Sequence, residues 1–298
     1  MSKFKFSGHQ TFSLRYGWLE KGFRFCQDAS CSFSAPDALV HLGVGKNMVS
    51  SIEYWCKIAG LLSPTGKLNS FAKRILDEKN GWDPYLEDDA SWWLIHWKIA
   101  TNPAYLTAGT VIFSLLRRHE FSKIELKEYI ENKIISANEK RISSTIIDRD
   151  IECYIRTYSA KQHTSKSKEI KFESPLQDLH LIEPLPSEIG SYRFNIGPKR
   201  SLPPHVIGYA IWERLHITER KQMFLKEALH GEYSPGQVFM LDESSLEEAI
   251  NTLLGHPKFS KFFSLTKSLG SPATVHCNLP DGLILLDAYY KGDTTCSY

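Results

Sequence analysis

Apolar residues recur at helical spacing through most of the chain, interrupted by glycine and proline turns and a few short strand-like runs. The pattern predicts a mainly α protein with small β-hairpins, an α+β chain built of tandem winged-helix or helix-turn-helix-like units. Its clearest stretch is residues 37–62. There Ala38, Leu39, Val40 and Leu42 stop at Gly43, and Gly43-Val44-Gly45 supplies a turn in which positive φ costs little. Asn47 is placed to cap a second helix, in which Ile52, Trp55, Cys56 and Ala59 share one inward face. Asn47, Ser50, Tyr54 and Lys57 fall on the other face. In a helix-turn-helix the second helix enters the DNA major groove, where amide, hydroxyl and cationic groups meet base edges and phosphates. Residues 61–68 fit a small hairpin, or wing, after it. An ordinary helical hairpin with a solvated face gives the same pattern.

The segment before this one, residues 7–22, crowds His9, Gln10, Thr11, Arg15, Tyr16, Trp18 and Lys21 together. Tyr16, Leu19 and Phe23 fit one helical face, which turns Arg15 and Lys21 toward phosphate; a capping segment whose His9 and Gln10 satisfy backbone groups accounts for it equally well. Downstream, residues 70–76 continue as helix, and Asn80-Gly81 and Asp83-Pro84 mark a turn. Asp83, Glu87, Asp88 and Asp89 then precede a helix carrying Trp92, Trp93, His96 and Trp97. Clustered carboxylates suit Mg²⁺, the usual aid to phosphodiester cleavage. Acids are also favoured at the positive end of any helix.

From Thr107 the outline repeats. A helix is expected through residues 111–116, then a Ser122-x-x-Glu125 capping box opening a helix to Ile134. Another helix starts at Ser143 or Ser144, with Ile147, Ile151, Tyr154, Ile155 and Tyr158 buried and Thr145, Arg149, Glu152 and Arg156 outward. The basic run 161–171, with Lys161, Lys166 and Lys168, reads as a solvated loop or a phosphate-contacting arm. Strand-like residues 179–184 and 192–196 resemble a second wing. A helix is expected after Pro203-Pro204, further helices at 221–229 and 244–254, and a strand at 283–286. The expected modules are 1–104, winged-helix-like with an acidic, tryptophan-rich helix; 105–218, winged-helix-like; and 219–298, an α+β interaction module.

Charge sharpens this picture. The net value of +2 hides ten Lys and Arg against four acids up to Leu76, one lysine against six acids over 77–93, and seven basic against ten acidic residues from Glu219 onward. A basic first module suits a polyanion, and an acidic last one suits protein contact. At 42% apolar and 23% charged residues the chain is of globular composition, with no apolar run near the roughly 18 residues that span a bilayer. The opening residues hold no signal core, so the cytoplasm is expected. The 6 cysteines lack C-x-x-C spacing and read as reduced thiols, with Cys26 and Cys31 the one pair spaced for a metal.

The runs SGHQTFSLRYGWLEKG, DALVHLGVGKNMVSSIEYWCKIAGL and GWDPYLEDDASWWLIHW, followed by SPLQDLHLIEP, YRFNIGPKRSLPPHVIGYAIWE and GEYSPGQVFMLDE, resemble the SspB-like family of bacterial DNA phosphorothioation systems. The resemblance covers essentially the whole chain. It implies DNA nicking in an operon that replaces a non-bridging phosphate oxygen by sulfur on one strand. It also implies partners: double-stranded DNA, a cysteine desulfurase, an ATP pyrophosphatase-like enzyme and an ATPase. No catalytic residue is carried over by it. A metal-dependent nickase would draw ligands and base from Asp83, Glu87, Asp88 and His9, with Mg²⁺ or another divalent cation. A DNA-binding adaptor that recruits the sulfur-transfer enzymes, or a winged-helix regulator, needs none of these. No H-N-H run, D…E-x-K arrangement or glycine-rich phosphate loop is present. The expected DNA contacts are Arg15, Lys21, Lys46, Asn47, Ser50, Tyr54, Lys57, Arg149, Arg156, Lys161, Lys166 and Lys168.

Overall fold

Gly43 takes the left-handed conformation, at φ 64°, that a sharp stop between two helices requires, and Val44 N–H closes the turn on the Leu39 carbonyl at 3.1 Å. In a computed structural model that describes residues 3–28, 32–159, 174–268 and 270–292, the first third of the chain runs as follows. Strand β1 (Lys3–Phe4) leads to helices α1 (Trp18–Gln27), α2 (Ala38–Leu42), α3 (Lys46–Ile58), α4 (Ser70–Leu76) and α5 (Asp89–Thr101), and β2 (Tyr105–Leu106) pairs parallel with β1. Gly45 rather than Asn47 caps α3. An isolated bridge between Leu62 and Leu68 holds the turn that follows α3.

The second third starts with α6 (Ala108–Thr110), which widens into a π-helical turn, Val111–Leu115, where a regular α-helix is expected. It continues through β3 (Glu120–Ser122), α7 (Lys123–Ser136), α8 (Ser144–Tyr158), a 3-10 turn at Pro175–Leu179, β4 (Ile182–Pro184) and β5 (Ser191–Phe194). Ser122 and Glu125 form the expected reciprocal cap of α7. All five residues of the expected stripe on α8, from Ile147 to Tyr158, are buried. The last third comprises α9 (Pro204–Ile217), β6 (Gln222–Phe224), α10 (Leu225–His230), α11 (Pro235–Phe239), α12 (Glu243–Gly255), β7 (Phe263–Thr266), β8 (Thr274–Cys277) and α13 (Leu283–Tyr290). Its order of helix, strand, helices and hairpin follows that of the second third, with three helices, α10 to α12, where the second third has α7 and α8. The antiparallel sheets match too, β3-β5-β4 and β6-β8-β7.

Residues 283–286 are helical rather than a strand, and the expected helix at 221–229 is split into β6 and α10. A four-residue apolar run does not distinguish a strand from one turn of buried helix.

One hydrophobic core runs from Leu14 to Ala288 through all three stretches. Helix α5 lies at its centre, buried on every side from Ala90 to Trp97, as a helix without a polar face must be. Its polar atoms are matched one by one. Trp97 Nε1–H donates to Glu213 Oε2 at 2.5 Å, and Lys98 Nζ donates to Glu213 Oε1 at 2.5 Å and to the Tyr209 hydroxyl at 2.8 Å, which ties α5 to α9. Helix α9 also packs against α12 and α13 of the last third.

Helix α13 returns to the first third and seats on the turn before α5. Asp287 accepts Trp82 Nε1–H at 2.9 Å and pairs with Arg74 at 3.2 Å. Tyr290 stacks on Trp82 with ring centroids 5.3 Å apart and donates or accepts with Ser91 Oγ at 2.8 Å. Asp287→Ala is expected to lower stability by about 1–2 kcal/mol, because an indole N–H and a guanidinium lose their acceptor together. Urea unfolding checks this, and Trp82→Phe should cost less because it keeps the ring stack.

Candidate nucleic-acid interface

Between α3 and α8 runs the segment 7–11, whose backbone is sharply bent. Ser7, Gln10 and Thr11 stand at φ 63°, 47° and 66°. Non-glycine side chains avoid this region, a β-branched threonine above all, and each instance costs on the order of 1–3 kcal/mol unless the surroundings hold it.

The holding groups come from both helices. Ser7 N–H donates to Asp150 Oδ2 at 2.8 Å, Ser51 Oγ to the His9 carbonyl at 3.0 Å and Trp55 Nε1 to the Phe12 carbonyl at 3.1 Å. Arg156 donates to the Thr11 carbonyl. Gly8 is required here, since a Cβ would lie 2.2 Å from Cδ2 of the Tyr54 ring that closes over the loop.

His9 and Asp150 sit at the centre with no exposed surface. Thr11 N–H donates to His9 Nδ1 at 3.0 Å, which leaves the ring proton on Nε2, 3.0 Å from Asp150 Oδ1. That approach lies off the ideal hydrogen-bond direction, and neither atom has another partner among the described residues. Above the pair, the hydroxyls of Tyr54 and Tyr154 meet at 2.8 Å. Burial pushes both phenols well above their ordinary range, so both stay neutral. Helices α3 and α8 are therefore joined through buried polar groups.

Of the expected contact residues, Arg15, Lys21, Lys46, Asn47, Ser50 and Arg149 are exposed. The Arg15 guanidinium lies over the rings of Phe12 and Trp18, 5.3 and 5.4 Å from their centroids. Lys57 is half-buried and paired with Glu53 at 2.7 Å. Arg156 is held by Thr11 on the inner side. Tyr54, expected on the outer face of α3, is 4% exposed and faces the second third. The expectation allowed α3 one buried face; it has two. Tyr16 lies before α1, exposed, with its hydroxyl donated to Asp178 at 2.6 Å. Lys161, Lys166, Lys168 and Cys31 lie outside the described residues.

Asp150 was missed in the sequence, although its signal was visible: an acid inside the apolar stripe of Ile147, Ile151 and Tyr154 needs a buried partner.

The acidic turn is occupied by its own backbone. Asp83 Oδ1 accepts Glu87 N–H at 3.0 Å, while Oδ2 accepts Asp88 N–H at 3.0 Å and Ser91 Oγ–H at 2.6 Å. Asp88 caps α5 through Ala90 N–H at 2.8 Å and takes the Tyr289 hydroxyl at 3.0 Å. Only Glu87 and Asp89 remain exposed. This donor set does not fit a divalent cation, and among the described residues no three His, Cys, Asp or Glu side chains are grouped to hold a metal. No described helix is long and apolar enough to cross a membrane.

The fold and this junction define a class: an α+β chain of helices and small three-stranded antiparallel sheets in which α3 and α8 share one buried polar seam. The chain belongs to the family described as "Protein of unknown function (DUF4007)", whose profile matches residues 6–283. Its fold is that of SspB, as the quoted motifs imply. An SspB crystal structure is similar with a TM-score of 0.84 and 25% identity, covering 99% of this chain and 90% of that one. A magnesium ion-bound SspB crystal structure is similar with a TM-score of 0.85 and 24% identity over the same shares. No curated protein sequence matches the chain.

Proposed function

We propose that the chain is the DNA-binding component of a phosphorothioate modification system and meets duplex DNA with the joined outer faces of α3 and α8. The observation that carries this reading is the seam itself: buried groups fix two helices against one loop, and that loop and those helices carry the exposed Gln10, Lys46, Asn47, Ser50 and Arg149. The order of elements in the second third, helix, strand, two helices and hairpin, supports a winged-helix reading, in which the helix before the hairpin reads the groove; the last third has that order with α11 inserted. By that correspondence α8 is a reading helix and α3 its counterpart in the first third. In the last third the same position falls to α12, which carries Glu243, Glu247 and Glu248. Its acids repel phosphate, so this unit suits the desulfurase, the pyrophosphatase-like enzyme or the ATPase that the resemblance implies.

A nicking activity is the second reading, favoured by the magnesium-bound relative of the same fold. Incubation with supercoiled plasmid tests both. The plasmid is expected to be retarded in gels with or without Mg²⁺, and Glu87→Ala to match wild type in retardation and in any open-circle product. Loss of open circles in Glu87→Ala with retardation intact would return the acidic turn to the chemistry.

A further inference from the structure

The geometry points to Gln10 as a base-reading residue, one that sets sequence preference where the α3–α8 face meets duplex DNA; it rests on that reading of the face. Gln10 is exposed, while the residues on either side of it are fixed. His9 is fully buried, and Thr11 is held through its N–H by His9 and through its carbonyl by Arg156. The side chain therefore leaves the loop from a fixed point between two helices. Glycine would adopt φ 47° without strain, yet the position carries a long amide. That amide makes no hydrogen bond to any described residue.

A primary amide presents a donor and an acceptor side by side, the complement of adenine N7 and N6–H in the major groove. It carries no charge and so adds nothing to the release of counterions that drives phosphate binding. The cations that do so, Lys46 and Arg149, lie on the flanking helices. Such a division, cations for affinity and a rigidly mounted amide for discrimination, is what separates backbone contact from base reading. His9 and Asp150 act through the loop as positioning residues.

Selection from a randomised duplex pool, with sequencing of the bound fraction and a salt titration, tests this in wild type, Gln10→Ala and Gln10→Glu. Wild type is expected to enrich adenine at one position. Gln10→Ala should flatten that preference by about tenfold with the salt slope unchanged, and Gln10→Glu should move it toward cytosine, whose N4–H a carboxylate accepts. If Gln10→Ala is poorly folded by thermal melting, Gln10→Gly, which suits this backbone better, gives the same comparison. An unaltered profile in these variants overturns the proposal while leaving the face intact, as does a uniform loss of affinity with a shallower slope. Failure of wild type to retain any duplex overturns the proposal and the reading of the face together.

Discussion

Between pH 6.5 and pH 4 the protein is expected to lose about 3 kcal/mol of stability through one side chain, His96. The ring is fully buried on α5, with Nε2 2.8 Å from the Val238 carbonyl and Nδ1 2.9 Å from the Tyr158 hydroxyl. A carbonyl only accepts, so Nε2 carries the proton and Nδ1 accepts from tyrosine. Burial disfavours the charged ring and lowers its pKa to about 4, against a smaller opposing effect of the Val238 bond. The unfolded chain takes up this proton from its ordinary value of 6.5 downward. Between the two values the unfolded state holds more protons, so stability falls as pH falls and levels out below the folded value. Carboxylates add their own loss lower in the range. Burial raises Glu213, but the Lys98 charge and the hydrogen bonds from Lys98, Tyr209 and Trp97 outweigh it and hold the group below its ordinary value. The comparison must therefore be with His96→Gln, in urea unfolding from neutral pH to about pH 4. The variant should start less stable and show the flatter profile; parallel profiles would remove His96 as the cause.

Asp150→Ala is expected to cost about 3–5 kcal/mol, the largest effect of any single change near the seam. It leaves Ser7 N–H and His9 Nε2–H in a closed interior without an acceptor, and it frees a loop that holds three residues at positive φ. Asp150→Asn keeps the volume and one carbonyl acceptor, so it should cost distinctly less. Chemical unfolding measures both. A loss below about 1 kcal/mol in the alanine variant would mean that the loop is held by other groups.

These two residues mark where the sequence was legible and where it was not. Periodicity and caps located α3, α4, α7, α8 and α12 closely, because each has a one-sided apolar stripe or a clear start signal such as Ser122. The three-stranded sheet of the last third was not legible: β6, β7 and β8 are three or four residues long, too short for alternation to stand out. Tyr54 was assigned to solvent because local spacing says nothing of a second helix packing from residue 154. The acids at 83 and 88 were ambiguous for a related reason. A carboxylate that caps a helix and one that binds a cation look alike until the backbone N–H groups around them are placed. Asp287, which fastens α13 to Trp82 and Arg74, drew no notice because its partners lie some two hundred positions away.

The central claim is that α3 and α8 present one phosphate-binding face, and fluorescence anisotropy of a labelled duplex across a salt series tests it most directly. Wild type should bind with an association constant that falls linearly on a log–log plot against salt. The double variant Lys46→Ala, Arg149→Ala removes one exposed cation from each helix, so its slope should be shallower by about two, with thermal stability nearly unchanged. Binding indifferent to salt, or a double variant that keeps the wild-type slope, would contradict the account.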